Sequence, residues 1–341
     1  MPQLSHAEET LEHLSQVVYE AYQAGDYSRA ADYARRALDL SRSSLGEQHP
    51  STLTSLNDLA LLYKLQGRYD LAEPMYEKAL ALRTEALGEK HLSTLTSLNN
   101  LAGLYTDQGR YDLAEPMYEK ALASRTEMLG EKHPRTLISL NNLAGLYADQ
   151  GRYDLSGAMY EKALAFKTEV LGEKHVDTLA SLNNLASLYQ EQGRYDLAEP
   201  MYEKALALHT EVLGGKHPST LTSLNNLAGL YADQGRYDLA EPMYEKALAS
   251  RTEMLGEKHP STLTSLNNLA LLYNDQGRYD LAGPMYEKAL AFKTEVLGGK
   301  HPSTLDSLNN LAVQQIEIGN EPAAFNLWQT YLRYSNDFLQ D

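Results

Sequence analysis

Residues 92–133 read LSTLTSLNNLAGLYTDQGRYDLAEPMYEKALASRTEMLGEKH. Leu95, Leu98, Leu101, Ala102, Leu104 and Tyr105 share one face of a helix with 3.6 residues per turn. Gly109 then stops that helix, because glycine takes the left-handed backbone of a helix C-terminus without a Cβ clash. A second apolar face follows in Leu113, Ala114, Met117, Tyr118, Ala121 and Leu122. The stretch therefore predicts two antiparallel helices, A and B. Small Ala102, Ala114 and Ala121 alternate with large Tyr105, Tyr111 and Tyr118, so the helices can approach closely while rings fill the gaps.

The pattern repeats every 42 residues. Gly25, Gly67, Gly109, Gly151, Gly193, Gly235, Gly277 and Gly319 mark eight units without an insertion, and the series from Gly46 to Gly298 closes seven of them. One hairpin cannot bury both of its faces, but stacked hairpins can. The expected fold is thus an all-α solenoid of about eight helix-turn-helix units. We divide it into a degenerate N-terminal capping repeat at 1–48, six near-identical units at 49–300, and a C-terminal repeat at 301–341 with a divergent capping helix and a short tail. Ala21 stands where later units have tyrosine, and His13 and Gln16 make the first A helix polar. In the last unit Pro322 suits the start of a capping helix at 320–335, with Leu327, Trp328, Tyr331 and Leu332 inward and Asn326, Gln329 and Arg333 outward. Residues 91–134 and 217–260 differ only at Leu92 versus Pro218 and Thr106 versus Ala232, which implies that a block of three units was copied.

Composition narrows function. No run approaches the roughly 18 consecutive apolar residues that span a bilayer, and the first residues lack the basic start and apolar core of a secretory signal. A cytoplasmic protein without membrane contact is expected. The absence of cysteine removes disulfides and every thiolate chemistry. A net charge of -16 disfavours nucleic acid as a partner.

The order Leu98, Leu101, Ala102, Tyr105, then Ala114 and Tyr118, resembles the tetratricopeptide signature, with Leu98 in the place of its tryptophan. The unit is longer than the family's usual repeat, and Thr126 stands where that repeat has proline. Long units carrying Asn-Asn-Leu-Ala-x-Leu-Tyr and then Ala-Glu-Pro-Met-Tyr are similar to the repeats of kinesin light chains. The heptad coiled coil of those proteins is not found here, so a motor heavy chain is not an expected partner. The resemblance implies a right-handed superhelix whose concave wall is built from A helices and captures extended peptides. On that reading the groove stripe of the third unit carries Asn99, Asn100 and Asp107.

Equivalent candidates are Asn57, Asn141 and Asn142, Asn183 and Asn184, Asn225 and Asn226, and Asn267 and Asn268, together with Asp149, Glu191, Asp233 and Asp275. Asparagine inside a helix is less favourable than alanine by about 0.6 kcal/mol, so its recurrence calls for an offsetting interaction. One asparagine of each pair can bond neighbouring repeats; the other can pair with the backbone of a bound peptide. No lysine or arginine lies on the stripe from the third to the seventh unit, so a neutral or basic peptide is expected, unless Arg110 and its equivalents neutralise the carboxylates.

The remaining features read as structure. His49, His91, His133, His175, His217, His259 and His301 each precede a helix start, and spaced one per layer they cannot share a metal ion. Glu119-Lys120 and Arg125-Glu127 read as a solvated face. Pro116 is expected in the first turn of helix B; Ala158 replaces it in one unit, where Gly157 predicts a weaker helix start. No phosphate loop, nucleophile with base or zinc-protease motif occurs, so neither an enzyme nor a cofactor is expected. The expected role is a protein-interaction scaffold. The alternatives are a sensory array belonging to a larger NTPase-type signalling protein and a self-assembling structural spacer.

Overall fold

The computed structural model describes residues 10–340, and the side chains of 10–335. The first nine residues of the expected N-terminal cap, and the side chains of the expected tail, lie outside that range. Among the described residues the chain forms sixteen helices and no strand. They are α1 (Leu11–Gln23), α2 (Tyr27–Leu45), α3 (Pro50–Leu65), α4 (Tyr69–Leu87), α5 (Leu92–Asp107), α6 (Tyr111–Leu129), α7 (Pro134–Asp149) and α8 (Tyr153–Leu171). They continue as α9 (Val176–Glu191), α10 (Tyr195–Leu213), α11 (Pro218–Asp233), α12 (Tyr237–Leu255), α13 (Pro260–Asp275), α14 (Tyr279–Leu297), α15 (Pro302–Glu317) and α16 (Glu321–Gln340). Odd-numbered helices are the A helices, even-numbered the B helices.

Two kinds of turn alternate. After α5 the Arg110 N–H donates to Tyr105 O at 2.8 Å and the Gly109 N–H to Thr106 O at 2.9 Å, the paired bonds of a Schellman stop, with Gly109 at φ +71°. The Arg110 guanidinium then lies 4.4 Å from the Tyr105 ring centre, sealing the turn. After α6, Gly130 ends the helix at φ +87°, and His133 caps α7: its Nδ1 accepts the Arg135 N–H at 3.1 Å. The other six recurrent histidines occupy the same cap position.

The predicted apolar face of α5 is buried throughout. On α6, Ala114, Tyr118 and Ala121 are buried, but Leu113 is 38% exposed. The apolar seam of α6 is narrower than its sequence suggests, because the alanine column sets the closest line of approach to α5. Pro116 is the sixth residue of α6 and lies inside the helix, one turn later than expected. The carbonyl left without a donor, that of Asp112, borders an exposed stretch where water can reach it. Despite Gly157 and Ala158, α8 is as long as its siblings, 19 residues. α16 runs on to Gln340, past the expected end of the cap. Ala324 is buried against α15, whereas Trp328 and Leu332, expected inward, are exposed at 38% and 54% because no further described helix covers that face.

Each helix packs on its sequence neighbours, and the stack winds back on itself. The α1–α2 turn meets the cap of α13: a Cβ built on Gly25 would fall 2.4 Å from Pro260 Cδ, and His259 Nε2 lies 3.3 Å from Gln23 O. The α3–α4 turn meets the cap of α15 in the same manner, with a Cβ on Gly67 3.1 Å from His301 Cα. The touching units are six apart along the chain. One superhelical turn thus rests on the next, and a cleft of about 790 Å³ remains beside the contact, bounded by Gly67, Arg68, Arg110, Glu295 and Lys300.

Candidate functional site: the inner wall of the A helices

A hollow of about 300 Å³ opens on the A-helix wall. Gln190 and Glu191 of α9, Asn225, Asn226 and Asp233 of α11 and Asn268 of α13 line it, with Tyr202 and Tyr244 of the B helices at its floor. The hollow exists because of one stripe position. Gly103, Gly145, Ser187 and Gly229 occupy it in the central units, and a Cβ on Gly229 would stand 3.2 Å from the Tyr244 hydroxyl. The flanking units carry Tyr19, Leu61, Leu271 and Val313 there, all exposed. The wall is therefore a small-residue, tyrosine-floored trough between apolar ends. The sequence signal was present, a small residue replacing a large apolar one at a single repeat position, but the tyrosines below it read only as core.

The two asparagines of each pair go to different places. Asn57, Asn99, Asn183 and Asn225 are buried, and the Nδ2 groups of Asn57, Asn99, Asn141 and Asn183 donate to Ser97, Ser139, Ser181 and Ser223 of the next unit at 2.8–3.3 Å. At Asn267 the sense is reversed, with Ser307 Oγ donating to its Oδ1. These asparagines join one repeat to the next. Asn100, Asn142, Asn226 and Asn268 are half-buried and Asn184 is exposed; of these, Asn226 and Asn268 line the trough.

The same serines receive a second partner from the B helix. Arg125 is 4% exposed, not solvated as the sequence suggested, and its Nη1 donates to Ser139 Oγ at 2.8 Å and to Arg135 O at 3.2 Å. Arg83, Lys167, Arg251 and Lys293 repeat the contact on Ser97, Ser181, Ser265 and Ser307, and His209 Nδ1 takes the place on Ser223 at 2.9 Å. Among the described residues no carboxylate bonds to Arg125, and burial, then the nearby Arg135, lowers its pKa; burial likewise lowers that of Lys293 to about 8. A single repeat shows Arg125 next to Glu127 on a polar face; only the following A helix, laid across it, turns that face inward.

The carboxylates form a row. Asp107 pairs with Lys64 at 3.1 Å. Arg110, the expected neutralising partner, instead bonds Glu73 at 2.7 Å. Among the described residues no cation pairs with Asp149, Glu191, Asp233 or Asp275. Burial, then repulsion between neighbours in the row, raises the pKa of Asp149, Glu191 and Asp275. Asp233 accepts a hydrogen bond from Gln190 at 2.7 Å.

Overlapping matches to the tetratricopeptide repeat model run from residue 9 to 335: 9–85, 59–127, 93–169, 135–209, 177–253, 219–295 and 261–335. The chain belongs to the tetratricopeptide repeat family. The crystal structure of Podosopora anserina putative kinesin light chain nearly identical TPR-like repeats is 30% identical over 60% of this chain and 97% of that one, with a TM-score of 0.49. BtubC (BKLC) from P. vanneervenii is 26% identical over 71% of this chain and 92% of that one, at a TM-score of 0.53. The apo form of the quorum sensor NprR from B. thuringiensis shares the fold at a TM-score of 0.61, with 16% identity over 97% of this chain and 89% of that one. No curated protein matches the sequence. As a tetratricopeptide repeat protein of the kinesin light chain-like type, the chain presents its A helices as the wall on which the small-residue stripe, second asparagines and carboxylate row converge. Among the described residues no helix is long and apolar enough to cross a membrane, and no cluster of three His, Asp or Glu could hold a metal ion.

Proposed function

We propose that the six near-identical units at 49–300 form a protein-interaction scaffold whose concave wall takes up an extended, neutral-to-basic peptide. The observation that carries this reading is the row from Asp149 to Asp275, four carboxylates without a paired cation beside a trough of about 300 Å³. Like charges held close cost free energy, and a cationic guest relieves that cost while the protein alone does not. Asn142, Asn184, Asn226 and Asn268 can donate to and accept from the guest's backbone, and Gly103, Gly145 and Gly229 leave depth for its side chains. The catalytic role is nil in this reading, and a phosphate backbone would meet the same row as repulsion.

Fluorescence anisotropy with lysine-rich, neutral and glutamate-rich peptides of equal length tests it. The lysine-rich peptide should bind, and its affinity should fall with added salt as surface charges are screened. Asp149→Asn with Asp233→Asn should weaken it about tenfold, as loss of two exposed pairs of up to ~1 kcal/mol each implies. Preferential binding of the glutamate-rich peptide would refute the proposal.

A further inference from the structure

The two contacts between superhelical turns use parts that every unit possesses. In each, a glycine turn at the end of an A helix receives the histidine cap of the A helix six units on. The histidine chemistry is specific. Nδ1 of His259 accepts the Ser261 N–H at 3.1 Å, so the neutral ring carries its proton on Nε2 and donates it to Gln23 O across the gap. Glycine is required opposite, since any side chain on Gly25 would overlap the Pro260 ring.

Among the described residues only two such pairs are closed within one chain. On one edge Gly109, Gly151, Gly193, Gly235 and Gly277 keep the left-handed turn with nothing within 4 Å of where a Cβ would sit. On the opposite edge His49, His91, His133, His175 and His217 cap their helices as His259 does. Pro50, Pro134 and Pro218 are exposed there, whereas Pro260 and Pro302 are half-buried.

We propose that these free edges are an interface for a second copy of this chain, which stacks coaxially with its histidine caps seated on the glycine turns of the first. The turn-on-turn contact seen within the chain would then continue between chains. The interface is heterologous, since one edge meets the other, so each added copy leaves a new free edge and growth is open-ended. Several weak identical contacts act together once the first has formed. The contact atoms are proline, glycine and a neutral ring, while each copy carries a net charge of -16. Association should therefore strengthen with salt, opposite to the behaviour expected of a basic peptide in the groove, and the two readings fail separately.

Sedimentation velocity across protein concentration at low and moderate salt is the test. The wild-type weight-average mass should rise with concentration, and rise further with salt. Two variants block one edge each: Pro50→Glu, Pro134→Glu and Pro218→Glu on the cap edge, where an acidic first-turn residue suits the helix dipole, and Gly151→Asn with Gly235→Asn on the turn edge, where asparagine tolerates the left-handed backbone. Circular dichroism should show unchanged helicity in both. Each variant alone should stay monomeric, and a mixture of the two should stop at a one-to-one pair. A wild-type protein that stays monomeric at every concentration and salt, or variants that assemble like wild type, would overturn the proposal.

Discussion

Asn141 and Asn142 are neighbours with opposite duties. The Asn141 amide bonds Ser181 of the next unit at 3.3 Å, while Asn142, one position on, is half-buried at the place that Asn226 and Asn268 hold where they line the trough. Alanine at either position gains about 0.6 kcal/mol of helix propensity, but Asn141→Ala also forfeits a hydrogen bond worth about 1 kcal/mol. Urea melts should show Asn142→Ala slightly more stable than wild type and Asn141→Ala less stable than Asn142→Ala by about 1 kcal/mol. Peptide affinity should fall only in Asn142→Ala. Equal melting of the two variants would return both side chains to the same environment. Sequence could say that one of each pair was structural, but not which, because adjacent helical positions differ by only 100° in direction and the boundary of the interface passes between them.

The carboxylate row has a pH signature at the same scale. A carboxyl whose folded pKa is raised contributes stability that is present below its unfolded value and lost as pH rises through the folded one. For Asp149, Glu191 and Asp275, raised by burial and mutual repulsion, the neutral-pH state is therefore the strained one. Asp149→Asn should leave thermal stability at pH 7 unchanged or slightly higher, and binding of a lysine-rich peptide should weaken as pH falls into the carboxylate range. Calorimetry at pH 7 and binding titrations down to pH 4 check both.

Among the elements, the glycine turns offer a comparison internal to the fold. Gly67 and Gly109 end equivalent helices at φ +69° and +71°, yet only Gly67 faces another turn. Alanine at Gly109 should cost the 1–2 kcal/mol or so of a left-handed residue. Gly67→Ala should cost more, and its radius of gyration in X-ray scattering should increase while that of Gly109→Ala does not. The turn itself was legible in the sequence, since a glycine after an apolar face has few other meanings. The width of the B-helix seam was not: Leu113 reads as core until the alanine column of Ala114 and Ala121 fixes which side meets α5.

At the scale of the whole molecule, the turn-on-turn contact carries the expected acid sensitivity. Burial between the turns lowers the pKa of His301 to about 4, with nearby Lys293 acting in the same direction and the backbone bond at Leu65 opposing. A depressed histidine contributes stability that is whole above its unfolded value of about 6.5 and is lost as pH falls toward the folded one. Scattering should show the superhelix opening between pH 6.5 and 4. His301→Asn keeps a good helix cap but cannot titrate, so in combination with His259→Asn it should remove that step.

What the sequence determined by itself was everything periodic: two helices per unit, their glycine stops and the histidine-bearing turns between units, eight units in register, and a polar stripe of asparagine and carboxylate. Those follow from local backbone preference and from hydrophobic spacing, which a single repeat already contains. The tertiary structure alone decided which asparagine faces inward, that Arg125 and its equivalents are buried on serine, and that the seventh and eighth units come round to touch the first and second. Each of those depends on the small rotation between successive hairpins, a quantity summed over many packed interfaces and written in none of them singly.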